Sequence, residues 1–409
     1  MPISVEEATC LVAATARPLG VEYLALPLAA DRVLREDLRA DRDFPPFNRV
    51  AMDGIALRYE ALVAGQTEFA VERTQFAGQV PAPLQDDSAA VEIMTGASLP
   101  EGTDTVIRYE DLTWRTDEAT GRRLATVQAL PPRPGHNVHA RAADRRRGDL
   151  LLSAGTLLAP AELAVAATVG AATVAVTRRP RVAVVSTGDE LVPISQQPEP
   201  HQIRRSNGLM LQAAAQAAGA TAEAFHFNDD PALLRQGLPG LLEDFDAVLL
   251  SGGVSKGKAD FLPEVLRELG VEQVFHEVQQ RPGKPFWFGQ QPGGAVVFAL
   301  PGNPVSTFVN FYRYARPWLL AVQQPGAAVP EATVPAVLTH DVQFRPRLTH
   351  FLLVSLEPGP DGRLLATPER AGGSGDLASL LPSNAFLELP PEPELFPAGS
   401  VWPAWRFRD

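Results

Sequence analysis

The sequence predicts a multidomain α/β protein, with a central α/β domain built on a mostly parallel sheet and β-rich parts around it. Two observations carry this prediction. Short apolar runs at residues 182–185, 247–250 and 295–298 alternate with helical stretches at 207–219, at 261–269 and after Pro304, the rhythm of strands joined by crossover helices. Each run also ends in a polar, glycine-bearing loop: Ser186-Thr187-Gly188-Asp189-Glu190, Ser251-Gly252-Gly253 and Pro301-Gly302-Asn303-Pro304. The length of 409 residues exceeds what one ordinary core accommodates, so the chain should divide into domains.

In chain order, Ser4 followed by Glu6 and Glu7 predicts a capped helix that runs to about Ala16 and stops before Pro18. A second helix is expected over 28–38, after which Asp43-Phe44-Pro45-Pro46-Phe47 breaks regular structure. From 48 to 145, β-like runs such as 69–73 and 105–109 alternate with Gly/Pro turns, and Gly121 is expected in a hairpin between 112–114 and 124–127. Pro160 and Gly170 bracket a helix in the expected sense, proline at its start and glycine at its end. Arg178-Arg179-Pro180 marks a linker, and the chain beyond about 325 is strand-like and punctuated by Pro and Gly. The expected domains are 1–43 with 146–177 (helical/β, linking), 44–145 (mostly β), 178–323 (α/β) and 324–409 (a small C-terminal β domain).

A net charge of −12 argues against nucleic acid as a partner, yet leaves room for a small anion in a local positive pocket. The single cysteine, Cys10, excludes an intramolecular disulfide and thiolate-held metal centres. His136 and His139 stand three apart in a Pro/Gly-flanked segment, too weak a pattern for a metal site. The chain begins without a basic segment or signal-peptide core, and it lacks a run of about 18 apolar residues. No membrane is expected as a partner, and the protein reads as cytoplasmic.

In open α/β sheets, ligands bind beyond the carboxyl ends of the strands, where all three glycine loops fall. Alone, a Thr-Gly-Asp or a Ser-Gly-Gly is usually a turn; three on one sheet edge point to a ligand. Ser251-Gly252-Gly253 exposes backbone N–H groups able to nest a phosphate. Asn303 is a natural N-cap and Pro304 a first helical residue, so the helix start behind Pro301 and Gly302 offers an anion site. Asp189, Glu190 and Asp260 supply hard oxygens beside those anions, which suggests Mg2+. Arg281 and Lys284, in Arg281-Pro282-Gly283-Lys284-Pro285, put cations on a stiff turn whose bland alternative is a solvated basic loop. By themselves, Asp53 in Met52-Asp53-Gly54 reads as a turn aspartate, and Asp144, within the basic stretch 141–147, as half of a surface ion pair.

These motifs, in this order, resemble the MoeA/gephyrin E-domain family. The matching blocks are Pro45-Pro46-Phe47-Asn48 with Ala51-Met52-Asp53-Gly54; Thr95-Gly96-Ala97-Ser98-Leu99-Pro100; Ser186-Thr187-Gly188-Asp189-Glu190-Leu191; Ser251-Gly252-Gly253-Val254-Ser255; Ala259-Asp260-Phe261; Pro282-Gly283-Lys284-Pro285; and Leu300-Pro301-Gly302-Asn303-Pro304-Val305-Ser306. One block could be chance; seven in family order are specific. The resemblance spans almost the whole chain and is weakest after residue 325.

The resemblance implies a central domain of molybdopterin-binding type and a reaction in which adenylated molybdopterin and molybdate give molybdenum cofactor and AMP, with Mg2+ as cofactor. It implies an elongated homodimer, with 1–43 and 146–177 as the dimerisation domain, whose site lies between the α/β domain of one subunit and the β domain of the other. Molybdopterin adenylyltransferase and molybdoenzyme apoproteins follow as candidate partners. By position, Asp53, Thr95, Asp144 and Glu190 match family residues implicated in activity. Asp260, with Glu190, would hold the metal, and Lys284 and Arg281 would hold anionic oxygens. Thr187, Gly188, Asp189, Ser251, Gly252, Gly253, Pro301, Gly302, Asn303 and Ser306 would cradle adenylate and phosphates. Ser374, in Gly372-Gly373-Ser374, stands for the family's C-terminal serine. The sequence departs from the family at Arg281 (lysine in many members), Lys258 (commonly glutamate), Arg205 (often aspartate) and around Asp144, where Arg141-Ala142-Ala143-Asp144 replaces a Gly-Glu-Asp run. Competing readings are a molybdopterin adenylyltransferase, disfavoured by the flanking β domains; a receptor scaffold, disfavoured by the lack of an appended domain; and an inactive paralogue, suggested by Lys258 and Arg205.

Overall fold

The structure is a computed structural model that describes residues 1–253, 261–324, 333–370 and 372–408. Ser255, Lys258 and Asp260 therefore lie outside the described residues. The chain forms two compact units, one of Met1–Tyr23, Asp31–Val33 and Ala175–Asp409, the other of Leu24–Ala30 and Leu34–Val174.

In the first unit the three apolar runs are strands: Arg181–Thr187, Ala247–Ser251 and Val296–Leu300. They lie side by side and parallel, with Thr221–Phe227 parallel on the outer flank of Arg181–Thr187. Trp287–Gln290 and Glu272–His276 extend the sheet antiparallel beyond Val296–Leu300, making six strands. The central strands are apolar through residues 182–185, 247–250 and 296–300 because both faces are covered, and they carry polar residues only at their ends. Val182 and Val184 pack in one layer with Leu211, Phe308 and Trp318, while Ala183 and Val185 pack in the other with Leu234, Leu238 and Val265.

Helix Pro231–Asp244 gave no strong sequence signal, since Gly237, Pro239 and Gly240 are poor helix residues. Its Leu234, Leu238, Leu241 and Leu242 line a buried face, so packing overrides propensity. The helix opened by Pro304 forms as expected and is long. It runs as Pro304–Asn310, widens into a π turn over Phe311–Ala315, and continues as Arg316–Gln323. At the start of the chain, Ser4 caps Val5–Ala14 as expected, its Oγ accepting from the Glu7 N–H at 3.1 Å.

The C-terminal part of this unit is a sheet closed on itself, because Thr349–Pro358 pairs with both Leu364–Pro368 and Ala385–Leu389. Val354, Leu356, Leu387 and Phe396 fill it. The dipeptide strand Gln280–Arg281 adds parallel to Thr349–Pro358 and sets Arg281 opposite His350.

The second unit holds a six-stranded sheet in the order Thr105–Arg108, Gly54–Leu57, Ala90–Ile93, Glu68–Gln75, Arg123–Val127, Leu112–Thr116. Its last two strands form the hairpin expected around Gly121. The helix expected over 28–38 is absent. A single 3-10 turn, Leu26–Leu28, is followed by Asp31 at φ 59°, which no right-handed helix tolerates, and the Leu34 N–H bonds the Thr156 carbonyl at 2.8 Å rather than a helical partner.

Candidate active site

The parallel strands end level, since Ser186 stands opposite Ser251 and Ser251 opposite Leu300. Their loops therefore converge on one cleft of about 570 Å³, walled by Thr187, Glu190, Ser251, Gly252, Gly253, Pro301, Gly302 and Asn303. Gly252 has φ 106°, and a Cβ there would fall 2.8 Å from the Thr187 carbonyl oxygen, so only glycine brings these loops so close. A Cβ on Gly188 would fall 2.6 Å from the Glu190 carboxylate. Asp189 is not on the wall; its Oδ1 accepts from the Asp229 N–H at 3.2 Å.

Asn207, read in the sequence only as a helix start, ties the loops together. Its Nδ2 donates to Ser251 Oγ at 2.9 Å and to the Gly302 carbonyl at 2.8 Å. Among the described residues, its Oδ1 and the Thr187 Oγ1 are buried without a hydrogen-bond partner. Thr187 and Asn207 thereby keep hydrogen-bonding capacity beside the cleft they line. Arg204 and Arg205 line the same cleft, so the change at Arg205 adds a cation to its wall.

A second cleft, of about 590 Å³, shares Pro285, Pro301 and Asn303 with the first. It gathers Arg281, Lys284, Ser306 and Ser374 with Phe344 and His350. Asn303 stands at the N-cap position as expected, but its side chain makes no capping bond, and its Nδ2 donates to Ser374 Oγ at 3.1 Å. Thr307 steadies the loop instead, its Oγ1 donating to the Pro301 carbonyl at 2.5 Å. Among the described residues, Arg281 and Lys284 make no ion pair. His350, which no motif announced, stacks on Phe344 at 4.0 Å. Burial, and then the Arg281 charge, push its imidazole down to about 4, so it is neutral, and among the described residues its buried Nδ1 has no partner.

The remaining predicted residues belong to the second unit. Asp53 Oδ1 accepts from the Thr95 N–H at 2.6 Å and from Thr95 Oγ1 at 2.7 Å, bonds that hold its carboxyl below the usual range. Gly54 is obligatory: a Cβ would stand 1.8 Å from the Ile107 carbonyl oxygen. Asp144 does not pair with an arginine side chain as its basic surroundings suggested. Its Oδ1 lies 2.9 Å from His139 Nε2, and Arg141 turns to Asp43 at 2.7 Å.

Comparison with known proteins adds the family. Residues 3–170 match the "MoeA N-terminal region (domain I and II)", 183–321 the "Probable molybdopterin binding domain" and 335–406 the "MoeA C-terminal region (domain IV)". A molybdopterin molybdenumtransferase from Synechocystis sp. is 37% identical over 381 residues, covering 91% of this chain and 92% of that protein. The chain belongs to the MoeA family. Another relative of the same name, from Bacillus subtilis, is 34% identical over 398 residues, covering 95% of this chain and 90% of its own length. The crystal structure of a molybdopterin biosynthesis MoeA protein from Pyrococcus horikosii matches with a TM-score of 0.84 and 31% identity, covering 100% of both chains.

For this MoeA-family chain, the donor set bears on Mg2+. Among the described residues no group of three or more His, Cys, Asp or Glu could hold a metal ion. Glu190 and Asp229 are the carboxylates on the first cleft's wall. Mg2+ commonly takes one or two carboxylates and completes its shell with water and substrate phosphates, so these residues fit an ion that arrives with a phosphorylated ligand. No helix among the described residues is long and apolar enough to cross a membrane.

Proposed function

We propose that this protein is a molybdopterin molybdenumtransferase, converting adenylated molybdopterin and molybdate to molybdenum cofactor and AMP. The observation that carries the reading is the pair of adjoining clefts with a common wall at Pro285, Pro301 and Asn303. The first suits the adenylate and its phosphates, with the Arg204 and Arg205 cations and the Gly253 and Gly302 loop tips on its wall, while the Gly252 N–H is engaged by the Leu300 carbonyl at 3.2 Å. The second suits an oxyanion, with Arg281, Lys284 and the Ser306 and Ser374 hydroxyls. A ligand spanning both would set the oxyanion beside the phosphate chain. Such chemistry needs placement and charge stabilisation rather than a nucleophilic side chain. Mg2+, held by Glu190 with Asp260, would neutralise phosphate charge when bound. Asp53, Thr95 and Asp144 act in the same reaction, supplied to the clefts by a second copy in a homodimer. The names of the relatives support the substrate class.

The test is incubation with adenylated molybdopterin and Mg2+, with and without molybdate, reading AMP and cofactor. AMP release that depends on molybdate is expected, and Lys284→Ala should lower it by about 100-fold, the scale of losing one charge-stabilising donor. ATP consumption in place of AMP release would mean adenylation and overturn the reading.

A further inference from the structure

Three polar side chains beside the second cleft are fully buried and have no part in the reading above: Gln280, Asn310 and Tyr314, exposed 0%, 0% and 1%. We propose that they are positioning residues, a buried amide–phenol network that locks the turn carrying Arg281 and Lys284 against helix Pro304–Asn310. The inference rests on the reading in which those two cations hold the oxyanion.

Gln280 and Arg281 are neighbours on one short strand, and successive side chains of a strand leave by opposite faces. Arg281 is exposed in the cleft, whereas the Gln280 side chain is fully buried behind it. There its Nε2 donates to Asn310 Oδ1 at 2.6 Å and lies 3.2 Å from the carbonyl oxygens of both Pro282 and Gly283. Asn310 Nδ2 donates to the same Gly283 carbonyl at 3.2 Å, and the Tyr314 hydroxyl donates to Gln280 Oε1 at 2.5 Å. The carbonyl between the two cations is thus gripped by two amides, and a phenol orients one of them. Little slack remains: a Cβ on Gly283 would fall 2.8 Å from the Asn310 amide.

The network also joins the cations to the loop between the clefts. Asn310 ends the helix that Pro304 begins, and Tyr314 lies in the widened turn that follows, a distortion common near functional sites. A fully bonded buried network rigidifies what it touches. Loss of one bond should let the turn drift and weaken the hold of Arg281 and Lys284 on the oxyanion by about tenfold, the scale of one hydrogen bond.

The experiment compares Tyr314→Phe, which deletes one hydroxyl, and Gln280→Met, which keeps the side-chain length, with Lys284→Ala. The readouts are steady-state AMP release over a range of molybdate at saturating adenylated substrate, the reverse titration, and Tm. For Tyr314→Phe and Gln280→Met the KM for molybdate should rise by about tenfold, with the KM for adenylated molybdopterin and kcat at saturating molybdate within about twofold. A merely structural role would lower kcat through loss of folded enzyme and leave both KM values alone; that result overturns the proposal. Tyr314→Phe decides the matter if Gln280→Met fails to fold. If Lys284→Ala impairs the molybdate response while Tyr314→Phe does not, the positioning role is wrong and the functional reading survives. If Lys284→Ala leaves that response unchanged, the functional reading itself fails and the inference with it.

Discussion

Acidification should destabilise this protein through His350 by an amount that the structure allows to be worked out. The imidazole has an ordinary value of 6.5 and is pushed down to about 4 in the folded protein, first by burial and then by the Arg281 charge opposite it. Because the folded value is depressed, the unfolded chain binds the proton more readily. The stability that His350 permits is therefore complete above pH 6.5 and is lost as pH falls from 6.5 towards 4. With one proton and those two values, the loss relative to pH 7.5 is about 2 kcal/mol at pH 5 and about 3 kcal/mol at pH 4. No hydrogen bond at Nδ1 from the described residues offsets it, since that atom is buried without a partner among them. Urea unfolding of the wild type and of His350→Leu at pH 7.5 and pH 5 isolates the term, because every other titrating group cancels in the difference. The wild type should lose about 2 kcal/mol more than the variant over that interval, and histidine-labelled NMR should find one imidazole with a midpoint near 4. Equal pH responses in the two proteins, or a His350 midpoint near 6.5, would refute the reasoning.

Two further outcomes are expected. If the active form is a homodimer whose clefts take Asp53 from the second copy, then Asp53→Ala and Lys284→Ala proteins, each inactive, should regain activity when unfolded and refolded together. Half of the dimers are then mixed, each with one intact site, so about a quarter of wild-type AMP release should return; complete silence of the mixture would place both residues in one chain's site. Separately, Glu388 accepts from Arg313 at 2.8 and 3.2 Å and from Trp405 Nε1 at 2.7 Å, with the guanidinium 4.5 Å from the Trp405 ring. Arg313 is almost buried, so Glu388→Leu should cost about 3–5 kcal/mol by stranding its charge, and Arg313→Met in addition should recover most of that. A loss below about 1 kcal/mol in urea melts would show that the pair is already well solvated.

Much of the first cleft was legible because its signals are local. A strand covered on both faces must be apolar at every position, and a loop that approaches another backbone must use glycine, so residues 182–188 and 247–253 carry their own instructions. The misreadings came where short-range pattern met a distant partner. Asn303 has the sequence of a cap and stands at the cap position, yet Ser374, 71 positions away, takes its amide. Asp144 stands among arginines, yet His139 holds its carboxylate. The stretch 28–38 has helical composition, yet a positive φ at Asp31 and a bond from Leu34 to Thr156 unwind it.

What the sequence determined by itself, then, was the strand-and-glycine-loop order of the central domain, since it follows from steric and hydrogen-bonding demands within a few residues. What only the tertiary structure decided was the second cleft. Arg281 and Lys284 come beside His350 and Ser374 because Gln280–Arg281 pairs with Thr349–Pro358 of the C-terminal sheet. That contact joins segments nearly 70 residues apart, and it is set by the packing of whole elements, which no local pattern encodes.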